Sequence, residues 1–213
     1  MYVGRIVSVG RNQEGKLTAM YRVSSRSFPN RKAVENERGI AIVPKEGHEG
    51  DVFKNPYIAY NCLRLVGDFA VATNGSHTDP VAEKLETGMT MRDALVSVLY
   101  GMDFEHDQLD TPRIAAIVDK KTGKGALGIV RRDAILVKDI ELKAGEAFYI
   151  ATYEHNEPSA SYYDAAFDAK TAEDACDYML GKGVFADLER PVSAACAIET
   201  EAGYDVFFKD AEA

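Results

Sequence analysis

Short apolar runs separated by turn-forming segments recur along most of the chain, and their β-branched content predicts strands. Tyr2 to Val9, a turn over Arg11 to Lys16, and a return over Leu17 to Val23 predict an opening hairpin. Further strands are predicted over 40–43, 57–66, 69–73, 114–118, 126–130, 135–142, 147–152, 192–199 and 204–208, with Gly67-Asp68 as a tight turn. Three stretches carry helical signals instead. Asp79-Pro80 sets an acidic N-cap before a first-turn proline and predicts a short helix to Leu85. Thr90 with Asp93, and Thr171 with Asp174, each place a cap threonine three residues before an acid. Apolar residues then follow at helical spacing: Ala94, Leu95, Val98, Leu99 and Met102 in one case, Ala175, Cys176, Met179 and Leu180 in the other.

Strands, a helical pair, more strands, a helix and a final hairpin do not make the strict alternation of a parallel doubly wound sheet. The order predicts an α+β protein of layered, largely antiparallel sheets. No repeat, low-complexity tract or linker divides the 213 residues, so 1–213 is expected to form one domain.

A net charge of -9 argues against a broad basic face for nucleic acid, but not against a local anion site. No apolar run is long enough for a membrane span. The start, MYVGRIVSVG, lacks the shape of a secretory leader, so a cytoplasmic location is expected. Cys62, Cys176 and Cys196 are odd in number, far apart and set in apolar surroundings, which predicts buried free thiols. The histidines 48, 77, 106 and 155 show no metal-ligand spacing, and no metal is expected. Gly123 to Gly128 matches GxGxxG, but strand and turn follow it where a dinucleotide site needs a helix.

Between Gly15 and Val34 there is no acid, yet Lys16, Arg22, Arg26, Arg31 and Lys32 fall there, interleaved with the hydroxyls of Ser24, Ser25 and Ser27. Read as a loop after a strand, this segment suits a phosphate dianion; a solvated basic turn is the plainer alternative. Asn74 to Pro80 joins a strand to a helix start, where Ser76, Thr78 and backbone amides suit phosphate or ribose oxygens. A plain turn explains Asn74, Gly75, Asp79 and Pro80 equally well, but gives no reason for Ser76-His77-Thr78. Tyr60 and Asn61 interrupt an apolar strand, the acidic Asp103 to Asp107 reads by default as a solvated loop, and Thr152 to Asn156 ends a strand with reactive side chains.

Taken in order, SSRSFPNR, NPYIAYN, TNGSHTDP, DFEHDQLDTPRI and ATYEHN resemble the archaeal IMP cyclohydrolase family, from Met1 to about Asn156 in motif-bearing form. The resemblance implies a four-layer αββα sandwich like that of the N-terminal nucleophile hydrolases, and ring closure of a formamidoimidazole-carboxamide ribonucleotide to IMP. Tyr2 follows Met1, so the terminal nucleophile of those hydrolases is lacking. Arg31, Tyr60, Glu105 and Tyr153 are implied as catalytic: Glu105 taking the amide proton, Arg31 and one tyrosine donating to the formyl oxygen. Arg22, Ser24, Ser25, Arg26, Asn61, Asn74, Ser76 and Thr78 are implied in holding the nucleotide. A purine ribonucleotide as the small-molecule partner, no metal or organic cofactor, and a homo-oligomer complete the expectation. A nucleotide-binding sensor without turnover, and an amidohydrolase using an internal nucleophile such as Cys62, are the competing readings.

Overall fold

The structure, a computed structural model, describes residues 1–158 and 162–212. Its strands are β1 (Ile6–Arg11), β2 (Leu17–Ser24), β3 (Arg31–Asn36), β4 (Gly39–Pro44), β5 (Tyr60–Val66), β6 (Phe69–Thr73), β7 (Arg113–Asp119), β8 (Lys124–Arg131), β9 (Ala134–Glu141), β10 (Glu146–Ala151), β11 (Tyr163–Asp164), β12 (Pro191–Thr200) and β13 (Gly203–Asp210). The helices are α1 (Thr78–Glu86), α2 (Met91–Met102) and α3 (Ala172–Gly181), with 3-10 turns at Glu49–Phe53, Pro56–Ile58 and Gly183–Phe185.

Two sheets result. One has six strands in the order β11-β10-β1-β2-β12-β13; the other runs β3 to β9 in sequence as a seven-stranded meander. Neighbouring strands pair antiparallel throughout, most through hairpin turns and β1–β10 and β2–β12 across long stretches of sequence.

Period-two alternation sorts the side chains into three cores. On β2, Leu17, Ala19, Tyr21 and Val23 face the other sheet, where they meet Tyr60 and Cys62 of β5 and Ile114, Ala116 and Val118 of β7. Met20 points the other way, into a core under α3 with Cys176, Met179 and Phe185. On β7, Ala115 and Ile117 face α1 and α2 through Val81, Leu85, Leu95 and Leu99. Helices therefore cover the outer face of each sheet while the inner faces pack together, and β2 and β7 are buried along their whole length. Strands covered on both faces read as continuous apolar runs rather than alternating ones.

The helix signals act as expected at two of three sites. Thr90 accepts the Asp93 amide at 3.1 Å, and Thr171 with Asp174 closes a reciprocal capping box. The third differs: α1 begins at Thr78, and Asp79 is not its cap but reaches across to Asn61 and Arg64 on β5. Arg31 and Lys32, read as part of a basic loop, open the edge strand β3. The GxGxxG match lies in the β7–β8 turn and β8 itself. No described helix is long and apolar enough to cross a membrane.

Candidate functional site

One end of the sandwich gathers the N-terminal segment, the β2–β3 loop, the turn at 55–58, the α2–β7 loop and the exit of β10. Between them lies a cleft of about 340 Å³ whose charged and phenolic lining comes from Tyr2, Arg5, Arg26, Arg31, Asp107 and Tyr153. A wider recess of about 720 Å³ adjoins it through Phe28, Asn55 and Asp107.

Arg5 is held where the chain enters β1. Its amide donates to Thr152 Oγ1 and the Thr152 amide donates back to the Arg5 carbonyl, so the segments before β1 and after β10 are laced together. Gly4, at φ +78°, lets this happen: a Cβ there would lie 2.1 Å from Thr152 Oγ1 and 2.7 Å from the Tyr153 ring. From this anchor Arg5 Nη2 donates to Glu105 Oε2 at 2.9 Å, and Nη1 donates to the Tyr153 hydroxyl at 3.3 Å. The Tyr153 hydroxyl also lies 3.1 Å from Thr111 Oγ1, which donates to Asp107 Oδ2 at 2.8 Å. A phenol that accepts from Arg5 and donates to Thr111 completes a chain of hydrogen bonds along the cleft wall.

Glu105, read by default as part of a solvated acidic loop, has no exposed surface. Burial is the main influence on its carboxyl and lifts it to about 7; Arg5 and Arg113 oppose that, and Asp107 adds to it slightly. Its carboxylate stands behind Arg5 rather than in the cleft lining. Arg31 is 3% exposed, its Nε donates to the Phe28 carbonyl, and among the described residues no carboxylate pairs with it. Such a guanidinium is a prepared anion or oxyanion donor. Tyr60 lies at the inner side of this site, its hydroxyl 2.5 Å from that of Tyr21, and burial holds its phenol above the ordinary range against the pull of Arg31 and Arg5.

Ser25 and Arg26 also reach the cleft. Ser25 Oγ accepts the Phe28 amide, shaping the loop, and Arg26 sits at the exposed rim over the Tyr2 ring, 3.2 Å from Glu189.

Other expected nucleotide contacts lie elsewhere. Arg22 shares the Met20 face of β2, not the Tyr21 face. Its guanidinium donates to Ser24 Oγ and to the carbonyls of Met179, Phe185, Leu188 and Glu189, closing the end of α3, with no donor left for phosphate. Ser24 is its acceptor there. Asn61 faces α1, bonded to Asp79 and Asn36. Asn74 ties β6 to β7 through Pro112 and Ile114. Thr78 Oγ1 bonds to Thr73, Gly75 and Asn61 at the start of α1. Ser76 is exposed and outside the cleft lining. Asn74 and Thr78 are thus held within the junction between β6, β7 and α1, and neither the positive φ at Gly75 nor the Asp79 cap of a plain turn is present.

Arg5, Tyr2, Thr111 and Asp107 were not singled out from the sequence as site residues. The available signal was Arg5 itself, a lone cation at the edge of an otherwise apolar run. Cys62 is buried between the sheets, and burial pushes its thiol far up, away from the thiolate a nucleophile needs. Among the described residues, no group of three His, Cys, Asp or Glu side chains is placed to hold a metal ion.

Known sequences give this constellation a context. A family model described as "IMP cyclohydrolase-like protein" matches residues 2–203. A Methanosphaera stadtmanae protein named IMP cyclohydrolase is 44% identical over 99% of this chain and 100% of its own length. Its namesake in Methanocaldococcus jannaschii is 43% identical over 98% and 99%, and that of Halobacterium salinarum 47% identical over 82% and 84%. With arginines, tyrosines and a buried carboxylate gathered at one end of an α+β sandwich, and relatives matched over nearly its whole length, the chain belongs to the IMP cyclohydrolase family.

Proposed function

We propose that the cleft closes the purine ring: the carboxamide nitrogen of 5-formamidoimidazole-4-carboxamide ribonucleotide attacks its own formyl carbon, and the carbinolamine loses water to give IMP. One proton from the carboxamide nitrogen and one from the formamido nitrogen must reach the departing oxygen. Both reacting groups sit on one molecule, so the protein has to hold the reactive rotamer, stabilise charge on the formyl oxygen and move protons.

The observation that carries this reading is the unpaired, nearly buried Arg31 in the same cleft as the Arg5–Tyr153 chain. Arg31 is assigned to the formyl oxygen. Tyr153 has a donor on one side and an acceptor on the other, and so is suited to pass a proton to that oxygen. Tyr60 supports Arg31 from the inner side. Glu105 was expected to take the amide proton directly; lying behind Arg5, it is better assigned to orienting Arg5 and setting the local charge. Arg26, at the rim, suits the phosphate, with Ser25 shaping its loop. An exposed pair such as Arg26–Glu189 opens at little cost when a dianion arrives.

The layer order supports kinship with N-terminal nucleophile hydrolases, and Tyr2 in the cleft supplies no nucleophile of the kind they use. We further propose action in the cytoplasm on free nucleotide, as a homo-oligomer, which light scattering tests. The central experiment adds the formylated precursor to purified protein and follows ultraviolet absorbance. Appearance of IMP supports the reading. Tight IMP binding with no turnover would establish a sensor instead.

A further inference from the structure

Three buried polar atoms without a hydrogen-bond partner converge beside Gly75: Glu105 Oε1, Arg113 Nη1 and His77 Nδ1. A Cβ built on Gly75 would lie 3.2, 2.9 and 3.2 Å from them. Arg113 Nη1 and Glu105 Oε1 are 3.8 Å apart, too far for a direct hydrogen bond. Buried polar groups in folded proteins are partnered by protein or by ordered water, and these three have no protein partner.

Their hydrogen-bonding characters are complementary. His77 Nε2 faces the Ile114 carbonyl at 3.0 Å, and a carbonyl only accepts, so the ring proton is on Nε2 and Nδ1 is a bare acceptor. Burial and the Arg113 charge keep that ring neutral, with its pKa pushed down to about 3. Arg113 Nη1 offers a donor, and the Glu105 carboxylate offers a second acceptor. One donor and two acceptors grouped beside Gly75 match a single water molecule, which accepts one bond and donates two.

We propose that Gly75, His77 and Arg113 form an internal water site behind Glu105, and that this site positions the carboxylate and stabilises its charged form from the side away from the cleft. Gly75 provides room, Arg113 orients the water, and neutral His77 takes its second hydrogen. The charges facing Glu105 are then Arg5 from the start of β1, Arg31 from β3, Arg113 from β7 and Asp107 from its own loop, with neutral His77 before α1. The site itself stands on geometry alone; its bearing on turnover rests on the ring-closing reading.

The test reads Glu105 directly. Protein labelled with carboxyl-¹³C glutamate is titrated by NMR, with the Glu105 signal assigned by its loss in Glu105→Gln. His77→Phe keeps the ring but removes the acceptor beside Glu105; Gly75→Ala fills the space. Each variant is expected to raise the Glu105 midpoint by about one pH unit, because a donor to the carboxylate is lost. A midpoint unchanged in folded His77→Phe overturns the proposal, even if Gly75→Ala does not fold. Because the readout needs no substrate, it separates failure of this site from failure of the proposed reaction.

Discussion

Arg5 and Glu105 are 100 residues apart in sequence and 2.9 Å apart in space, and the same guanidinium reaches Tyr153 in the cleft. Glu105→Gln keeps the shape of the acid but removes the charge that orients Arg5. Turnover at saturating precursor is expected to fall by about 10²-fold or more. Wild-type kcat/KM is expected to rise as Glu105 ionises, with a midpoint near pH 7, and the variant to lack that limb. Equal turnover in both proteins removes Glu105 from the reaction.

The same acid couples stability to pH. Below its ordinary value of 4.5, Glu105 is protonated in both the folded and the unfolded chain. Between 4.5 and about 7 only the unfolded chain ionises, so stability is lost as pH rises through this window. The loss is up to roughly 3 kcal/mol. Urea unfolding at both ends of the window is expected to show wild type losing that much more than Glu105→Gln. Parallel pH dependence in the two proteins contradicts the assignment.

Arg31 has a light structural role, a single bond from Nε to the Phe28 carbonyl. Arg31→Ala is therefore expected to melt within a few degrees of wild type while losing 10²-fold or more in kcat/KM. Arg31→Lys, which keeps the charge but not the fork, is expected to recover only part of it. Wild-type kinetics in Arg31→Ala rules out the oxyanion role.

Arg22 and Arg26 are four residues apart and predict opposite phenotypes. Arg22→Ala leaves Ser24 and the carbonyls at the end of α3 without their donor, and is expected to cost about 3–5 kcal/mol in denaturant unfolding. Arg26→Ala is expected to leave the unfolding curve in place and weaken IMP binding about tenfold, measured by calorimetry. Unchanged IMP affinity moves the phosphate site away from the rim.

Gly4→Ala tests the scaffold of the cleft. The positive φ and the contact with Thr152 and Tyr153 predict a loss of about 2–4 kcal/mol and reduced turnover together. A stable, fully active Gly4→Ala protein shows that the Arg5–Thr152 lacing does not position Tyr153.

The sequence by itself determined the local elements. Strand composition, the Thr90 and Thr171 caps and the Gly67-Asp68 turn depend on neighbouring residues, and period-two and helical spacing carry that information. The ordered motifs likewise marked the family; the roles of Arg31, Tyr60, Glu105 and Tyr153 are what that resemblance implies. What the tertiary structure alone decided is the direction and partner of each polar side chain. Arg22 and Arg26 look alike as letters in a basic stretch, but strand alternation turns Arg22 inward to α3 and the loop leaves Arg26 at the rim. Asn74 and Thr78 look like ligand donors until the β6–β7 and α1 contacts consume them. Arg5 meets Tyr153 and Glu105 only when β1 and β10 pair, and Glu105 becomes a raised, buried acid only when Arg5, Arg113 and the Gly75 turn close around it. Desolvation and long-range pairing are properties of three-dimensional packing, which no local spacing encodes.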